Sequence, residues 1–374
     1  MIQTLIAFTV SFVVNLLVLR VARRRGHAPG HDLSGPQKFH HKPAPRIGGL
    51  GVLLGVAAGL MLCGLAALKA TGQEEDLQEV WQMGWMLLAC GLPAFGAGLI
   101  EDLAKKTSPS KSLLATVVSG LLAAWLLGAL IRDTDTPGID ALVATTLGAY
   151  AFTLLVVAGI ANSVNILDGF SGLASMCVVI MLCAVAYVAF RVDDPLVMNL
   201  ALLGIGATLG FFIWNFPAGI SLGHGGACFL GFWFAELSIL LLVRNPGEVS
   251  PLFPLLVCIY PVFETVFSHF RRKVLRGPSV GSPDDMHLHS LIHHQVMHWT
   301  LADEDVRALK HRNFMTSPFL WLLCMLSAVP AVLFRDQGAP LAFFLLLFVA
   351  TYLWLWWWTS TRFPTRPMET AASK

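Results

Sequence analysis

The sequence predicts an all-α, polytopic membrane protein of about eleven transmembrane helices, with its N-terminus outside and its C-terminus in the cytoplasm. Three observations carry that prediction. First, 56% of the residues are hydrophobic and only 13% are charged, against about 25% charged in an ordinary soluble globule. Most of the surface must therefore face something other than water. Second, mainly apolar stretches of about 20 residues, the length that crosses about 30 Å of hydrocarbon as a helix, recur along the whole chain. Third, lysine and arginine crowd onto alternate loops.

In chain order the spans are expected at 2–20, 47–68, 81–100, 112–131, 140–160, 172–190, 196–214, 225–243, 251–270, 317–334 and 340–358. The weakest is 196–214, where Asn199 and several glycines dilute the apolar signal. Arg20, Arg23, Arg24 and Arg25 follow the first apolar run instead of preceding it. That is the reverse of a cleavable signal peptide, so a retained first span is expected. With the N-terminus outside, 20 of the 25 lysines and arginines fall in cytoplasmic loops, as the positive-inside rule requires. Lys69, Arg132, Arg191, Arg244 and Arg335 are the exceptions. The cluster Trp354, Trp356, Trp357 and Trp358 fits an interfacial belt at the inner end of the last span. The whole chain, 1–374, is expected to be one integral-membrane domain, with a long cytoplasmic loop at 271–316 and a cytoplasmic tail at 359–374. Seven cysteines sit within or beside apolar stretches without a Cys-x-x-Cys unit and read as small buried hydrophobes.

The polar motifs all fall on the cytoplasmic side of this topology. A transporter should instead carry ionisable groups near the midplane, on broken helices. One-sided clusters point to chemistry between a soluble cytoplasmic molecule and a lipid. His40 to Gly49 combines cations with stiffening prolines and permissive glycines. Such a segment suits a lipid phosphate, or simply a basic anchor on anionic head groups. Glu101 and Asp102 end an apolar helix; adjacent acids there suit Mg²⁺ shared with phosphates, or a helix-end pair offset by Lys105 and Lys106.

Asn162, Asn165 and Asp168 recur at intervals of three, so Asn165 and Asp168 share a face on a helical turn. The stretch Gly223-His224-Gly225-Gly226 runs into a helix N-terminus, where free N–H groups and the dipole favour phosphate; small residues there also serve helix packing. The last cluster, Arg271 to His294, is basic and Gly/Pro-rich and contains His287-Leu288-His289. Arginine and histidine suit a nucleoside diphosphate. Zinc, or a solvated histidine cluster, is the alternative, although no cysteine lies nearby.

In this order, the clusters resemble the polyprenyl-phosphate N-acetylhexosamine-1-phosphate transferases, glycosyltransferase family 4, related to the phospho-N-acetylmuramoyl-pentapeptide transferases. The resemblance runs from His40 to about His294. It implies a bacterial inner-membrane enzyme with its active site on the cytoplasmic face. Its substrates would be a UDP-N-acetylamino sugar and undecaprenyl phosphate, with Mg²⁺ (or Mn²⁺) as cofactor and UMP as a product. An initiating step of envelope polysaccharide synthesis, such as lipopolysaccharide or cell-wall biogenesis, would be its place. No nucleic-acid partner is expected, and a homodimer in the bilayer is compatible with the resemblance.

Residue by residue, Glu101, Asp102 and Asp168 match the family's acidic positions and would be catalytic. Asp102, Asp168 and His224 occupy the metal-ligand positions. His41, Arg46, Asn162, Asn165, Arg276, His287 and His289 would bind substrate. Two departures stand out: Ser171 replaces a common Asp or Asn, and His224 replaces the Asp of a Gly-Asp-x-Gly motif. A neutral imidazole suits Mn²⁺ or Zn²⁺ better than Mg²⁺. The alternative implied by His224 is a catalytically impaired homologue that binds lipid phosphate or nucleotide sugar as a scaffold.

Overall fold

The computed structural model describes residues 1–25, 45–69, 75–104, 109–216, 219–275, 288, 291–292 and 306–362. Among these residues the chain is entirely helical. In order the helices are α1 (Ile2–Arg25), α2 (Gly49–Lys69), α3 (Glu75–Ala104), α4 (Pro109–Leu126), α5 (Pro137–Val143), α6 (Thr146–Leu167) and α7 (Leu173–Arg191). They continue with α8 (Pro195–Asn215), α9 (Gly223–Arg244), α10 (Leu252–Val257), α11 (Ile259–Leu275), α12 (Val306–Leu333) and α13 (Gly338–Arg362).

Nine helices among the described residues are long and apolar enough to cross a membrane, against about eleven expected. Local chemistry explains the difference. The window 112–131 stops early because α4 runs into Gly128, whose φ of +67° turns the chain out of the helix. The window 251–270 is cut at Cys258 into α10 and α11. Pro261 has no N–H to give the carbonyl of Val257, so a continuous helix would lose a bond there. The window 140–160 is shifted: Thr145 caps α6 by accepting from the Gly148 N–H at 3.1 Å. That moves the span to 146–167 and puts Asn162 and Asn165 inside its last turns. The glycine-diluted window 196–214 is α8, an uninterrupted helix of 21 residues.

Helix α9 lies at the centre. Between its ends its residues are apolar on every side except at Glu236 and Ser238, as expected of a helix enclosed by others, and it packs against α2, α3, α4, α6, α7 and α8. Close approach to α3 depends on absent side chains: a Cβ at Gly225 would lie 2.6 Å from the Phe95 carbonyl oxygen and 2.7 Å from the Leu99 nitrogen. Small residues at such crossings let helix backbones touch where lipid offers no hydrophobic drive for association. At the periphery, α1 and α13 leave Leu5, Leu17, Leu346 and Trp357 exposed, apolar surface that suits a bilayer. All seven cysteines are unpaired and six are buried, Cys183 being the exception.

Candidate active site

Four chain ends converge at one end of α9. The segment Pro45–Gly48 pairs with Ser221–Leu222 through three backbone bonds: Ser221 N–H to the Pro45 carbonyl (3.0 Å), Gly48 N–H to the Ser221 carbonyl (3.1 Å) and Gly49 N–H to the Leu222 carbonyl (2.9 Å). This brings Arg46, exposed, beside the start of α9. The last turn of α3 supplies Glu101 and Asp102, both buried. Asp168 is the residue that terminates α6.

The two aspartates meet at the first turn of α9. Asp168 Oδ2 accepts from the Ser221 hydroxyl (2.9 Å) and from the Gly223 N–H (3.0 Å). Asp102 Oδ2 accepts from the Gly225 N–H (3.3 Å). Free N–H groups and the positive end of the helix dipole make this a natural seat for negative charge. Gly223 is required there: its φ is +80°, and a Cβ would collide with the Arg46 carbonyl and come within 2.8 Å of Asp102 Oδ2. Burial pushes the Asp168 carboxyl up to about 7, while the Ser221 hydroxyl, the Arg46 charge and the Gly223 N–H pull it down and Asp102 adds to the rise.

His224 stands in the same turn, but its Nε2 is hydrogen-bonded to the Ser112 hydroxyl at the start of α4. Glu101 Oε2 lies 4.0 Å from that nitrogen. Both Glu101 carboxylate oxygens are buried without a hydrogen-bond partner among the described residues.

The loop after α6 is held from outside. Asn215 Oδ1 accepts from the Gly172 N–H and the Ser175 hydroxyl, each at 2.9 Å, while its Nδ2 donates to the Ile220 carbonyl at 2.8 Å. From α12, Ser317 donates to the Ser171 carbonyl (2.8 Å) and Trp321 Nε1 to the Gly172 carbonyl (3.2 Å). Asp168 is thus carried on a loop braced from α8 and α12.

Of the residues expected from sequence, Glu101, Asp102, Asp168, His224 and Arg46 are brought together here. Asn162 and Asn165 are half-buried in the last turns of α6, and the Asn162 amide donates back to the Ala158 carbonyl at 2.8 Å. His41, Arg276, His287 and His289 lie outside the described residues. Sequence reasoning missed Ser112 and the bracing role of Asn215. Neither has a local signature: a serine opening a helix and an asparagine ending one are ordinary in any chain.

Among the described residues, no three His, Cys, Asp or Glu side chains gather into a set that could hold a metal unaided. Mg²⁺ does not demand such a set, because it is commonly bound by one or two carboxylates with phosphate and water oxygens completing the shell. Asp102 and Asp168, flanking one glycine, fit that donor pattern, with the Glu101 carboxyl buried beside them.

Comparison with known proteins adds the following. The profile of glycosyl transferase family 4 matches residues 84–242. A probable undecaprenyl-phosphate N-acetylglucosaminyl 1-phosphate transferase of Bacillus subtilis is 27% identical, over 94% of this chain and 91% of the relative. A phospho-N-acetylmuramoyl-pentapeptide-transferase of Corynebacterium jeikeium is 31% identical over 64% of this chain and 77% of its own length. Its counterpart in Mycobacterium leprae is 30% identical over 63% and 76%. Glu101, Asp102, Asp168 and His224 all lie within the matched segment.

Proposed function

The chain belongs to glycosyl transferase family 4, and from that premise we propose that it transfers a phospho-sugar to undecaprenyl phosphate in the membrane. The donor is a UDP-N-acetylamino sugar and UMP is released. The observation that carries the proposal is the meeting of Asp102 and Asp168 on the N-terminal turn of α9, beside the Glu101 carboxylate, which has no hydrogen-bond partner among the described residues. Carboxylates held in place by backbone N–H groups at a helix N-terminus are what a divalent cation on a diphosphate needs.

Phosphoryl transfer asks mainly for positioning and charge compensation. An oxygen of the lipid phosphate forms a bond to the β-phosphorus of the donor, the bond from that phosphorus to the bridging oxygen breaks, and the electron pair leaves with UMP. The acceptor phosphate, with a second pKa of about 6, is already largely deprotonated at neutral pH, so a strong base is not required. Asp102 and Asp168 would hold Mg²⁺, which when bound neutralises the diphosphate. Arg46 offers a cation at the rim for phosphate oxygens, and Glu101 accepts any remaining acceptor proton. His41, Arg276, His287 and His289 are assigned to substrate, and the site faces the cytoplasm, on the side where lysine and arginine concentrate.

A second reading, a binding scaffold that has lost turnover, draws support from His224, whose Nε2 is engaged by Ser112. One experiment separates the two. UMP release is measured for the purified protein with undecaprenyl phosphate and a panel of UDP-N-acetyl sugars, in Mg²⁺ and in Mn²⁺, with His224→Asp alongside. Release by the wild type is the expected result. Release by His224→Asp alone favours the scaffold. Silence in both, with folded protein, overturns the transferase proposal.

A further inference from the structure

Ser112 of α4 is buried and meets His224 of α9, a residue 112 positions away in the chain. Its Oγ is hydrogen-bonded to the His224 Nε2 and lies 3.9 Å from the Sγ of Cys228, one turn further along α9. Ser112 is itself held in place, because the buried Thr116 hydroxyl donates to its carbonyl at 3.2 Å.

His224 stands close to the carboxylates of the site. Its backbone N–H and that of Gly225 hold the Asp102 carboxylate, and Gly223, just before it, donates to Asp168. The imidazole nevertheless turns toward α4. With Asp102, Asp168 and Glu101, all described, it forms no three-residue set that could ligate a metal. In either tautomer, the lone pair or the proton on Nε2 is committed to the Ser112 hydroxyl. A buried nitrogen deprived of that hydroxyl would need another partner, and a cation on the adjoining carboxylates would supply one.

We infer that Ser112 is a positioning residue that sets metal selectivity. Its hydroxyl holds the His224 ring out of the coordination shell, so that Asp102 and Asp168 bind the cation through oxygen alone. An oxygen-only shell suits Mg²⁺, whereas an added imidazole nitrogen shifts preference toward later divalent ions. The inference rests on the transferase proposal for the presence of the cation, but it is read without turnover.

The full-length protein in nanodiscs is titrated with Mn²⁺, with and without UDP. Bound Mn²⁺ is followed by electron paramagnetic resonance, and spin-echo modulation reports any coupling to an imidazole nitrogen. The wild type is expected to bind Mn²⁺ without such coupling. Ser112→Ala should show the coupling and should need about tenfold more Mg²⁺ to displace Mn²⁺. Adding His224→Asn to Ser112→Ala should erase both changes. Ser112→Thr keeps a hydroxyl and should behave as wild type, while Ser112→Val, of the same shape without it, should behave as Ser112→Ala. That pair carries the test should Ser112→Ala not fold.

A wild-type nitrogen coupling that His224→Asn abolishes overturns the inference, since the imidazole would already be a ligand. Absence of coupling in Ser112→Ala and Ser112→Val, with unchanged displacement by Mg²⁺, also overturns it and leaves a merely structural serine. A wild type that binds no Mn²⁺, with or without UDP, overturns it by removing the cation from Asp102 and Asp168. UMP release is read separately. A wild type silent in that assay but with the expected Mn²⁺ spectra defeats the transferase proposal and leaves the role of Ser112 standing.

Discussion

The two ends of α9 both gather carboxylates, and they treat them differently. At the C-terminal end, Asp194 accepts from Arg244 Nε (3.0 Å), Asn245 Nδ2 (3.0 Å) and the Val197 N–H (3.2 Å), while Arg244 also pairs with Glu79 (2.8 Å). An arginine at the negative end of the helix dipole and a capping aspartate form a closed set of partners. At the N-terminal end, two acids accept from backbone N–H groups, and both oxygens of a third, Glu101, have no hydrogen-bond partner among the described residues. The first end is complete as folded. The second carries negative charge that a cation and phosphates would complete. Orphaned oxygens alone do not mark a site: Glu236, in the middle of α9, has two as well, but it is the only acid of its helix and no phosphate-binding turn adjoins it.

Breaking each end separately tests this contrast. The largest effect is expected from Asp168→Asn, which keeps the shape of the loop but removes the charge. UMP release should fall by about a thousandfold or more, while the melting temperature in detergent stays close to wild type. Near-normal release would remove Asp168 from the catalytic set. Asp194→Ala at the other end should do the opposite. Losing a buried cap and the partner of Arg244 should cost about 2–4 kcal/mol of stability, with kcat and donor KM within about twofold. A comparable loss of turnover in a protein that stays folded would show that the far end is not purely structural.

The smallest effect is a pH dependence confined to the site end. With its carboxyl pushed up to about 7, metal-free Asp168 holds a proton below neutrality, which a divalent cation must displace. Cation affinity should therefore weaken about tenfold for each pH unit below 7 and level off above it. The stability sign is the reverse. A folded-state value above the unfolded one favours folding while the proton is on, and that contribution is lost as pH rises through 7. Metal-free wild type should thus lose melting temperature between pH 5.5 and 7.5 relative to Asp168→Asn. Parallel curves for the two proteins would show that Asp168 does not titrate in that range.

Much of the site was legible because its chemistry is carried by unusual composition. Acids at the end of an apolar helix, amides at intervals of three and a glycine run before a span are each rare enough in such a chain to be noticed. Ser112 was not legible, since its partner His224 is far away in sequence, and the meeting depends on α4 packing beside α9. Asn215 was hidden in the same way: its three partners are separated by a turn and by another helix. Span boundaries failed where local chemistry overrode hydropathy, at Thr145, Gly128 and Pro261. A hydropathy window averages over about 20 residues, whereas a cap or a proline acts through a single hydrogen bond.

By itself, the sequence determined that the chain is a helical membrane protein, which acids and glycines are candidates for its chemistry, and in which family it belongs. Hydrophobic length and rare polar motifs are properties of the chain before it folds, so they survive without coordinates. Only the tertiary structure decided that Asp102 and Asp168 rest on one glycine turn and that His224 leans on Ser112. Those contacts join residues far apart along the chain, and only the packing of the helices brings them together.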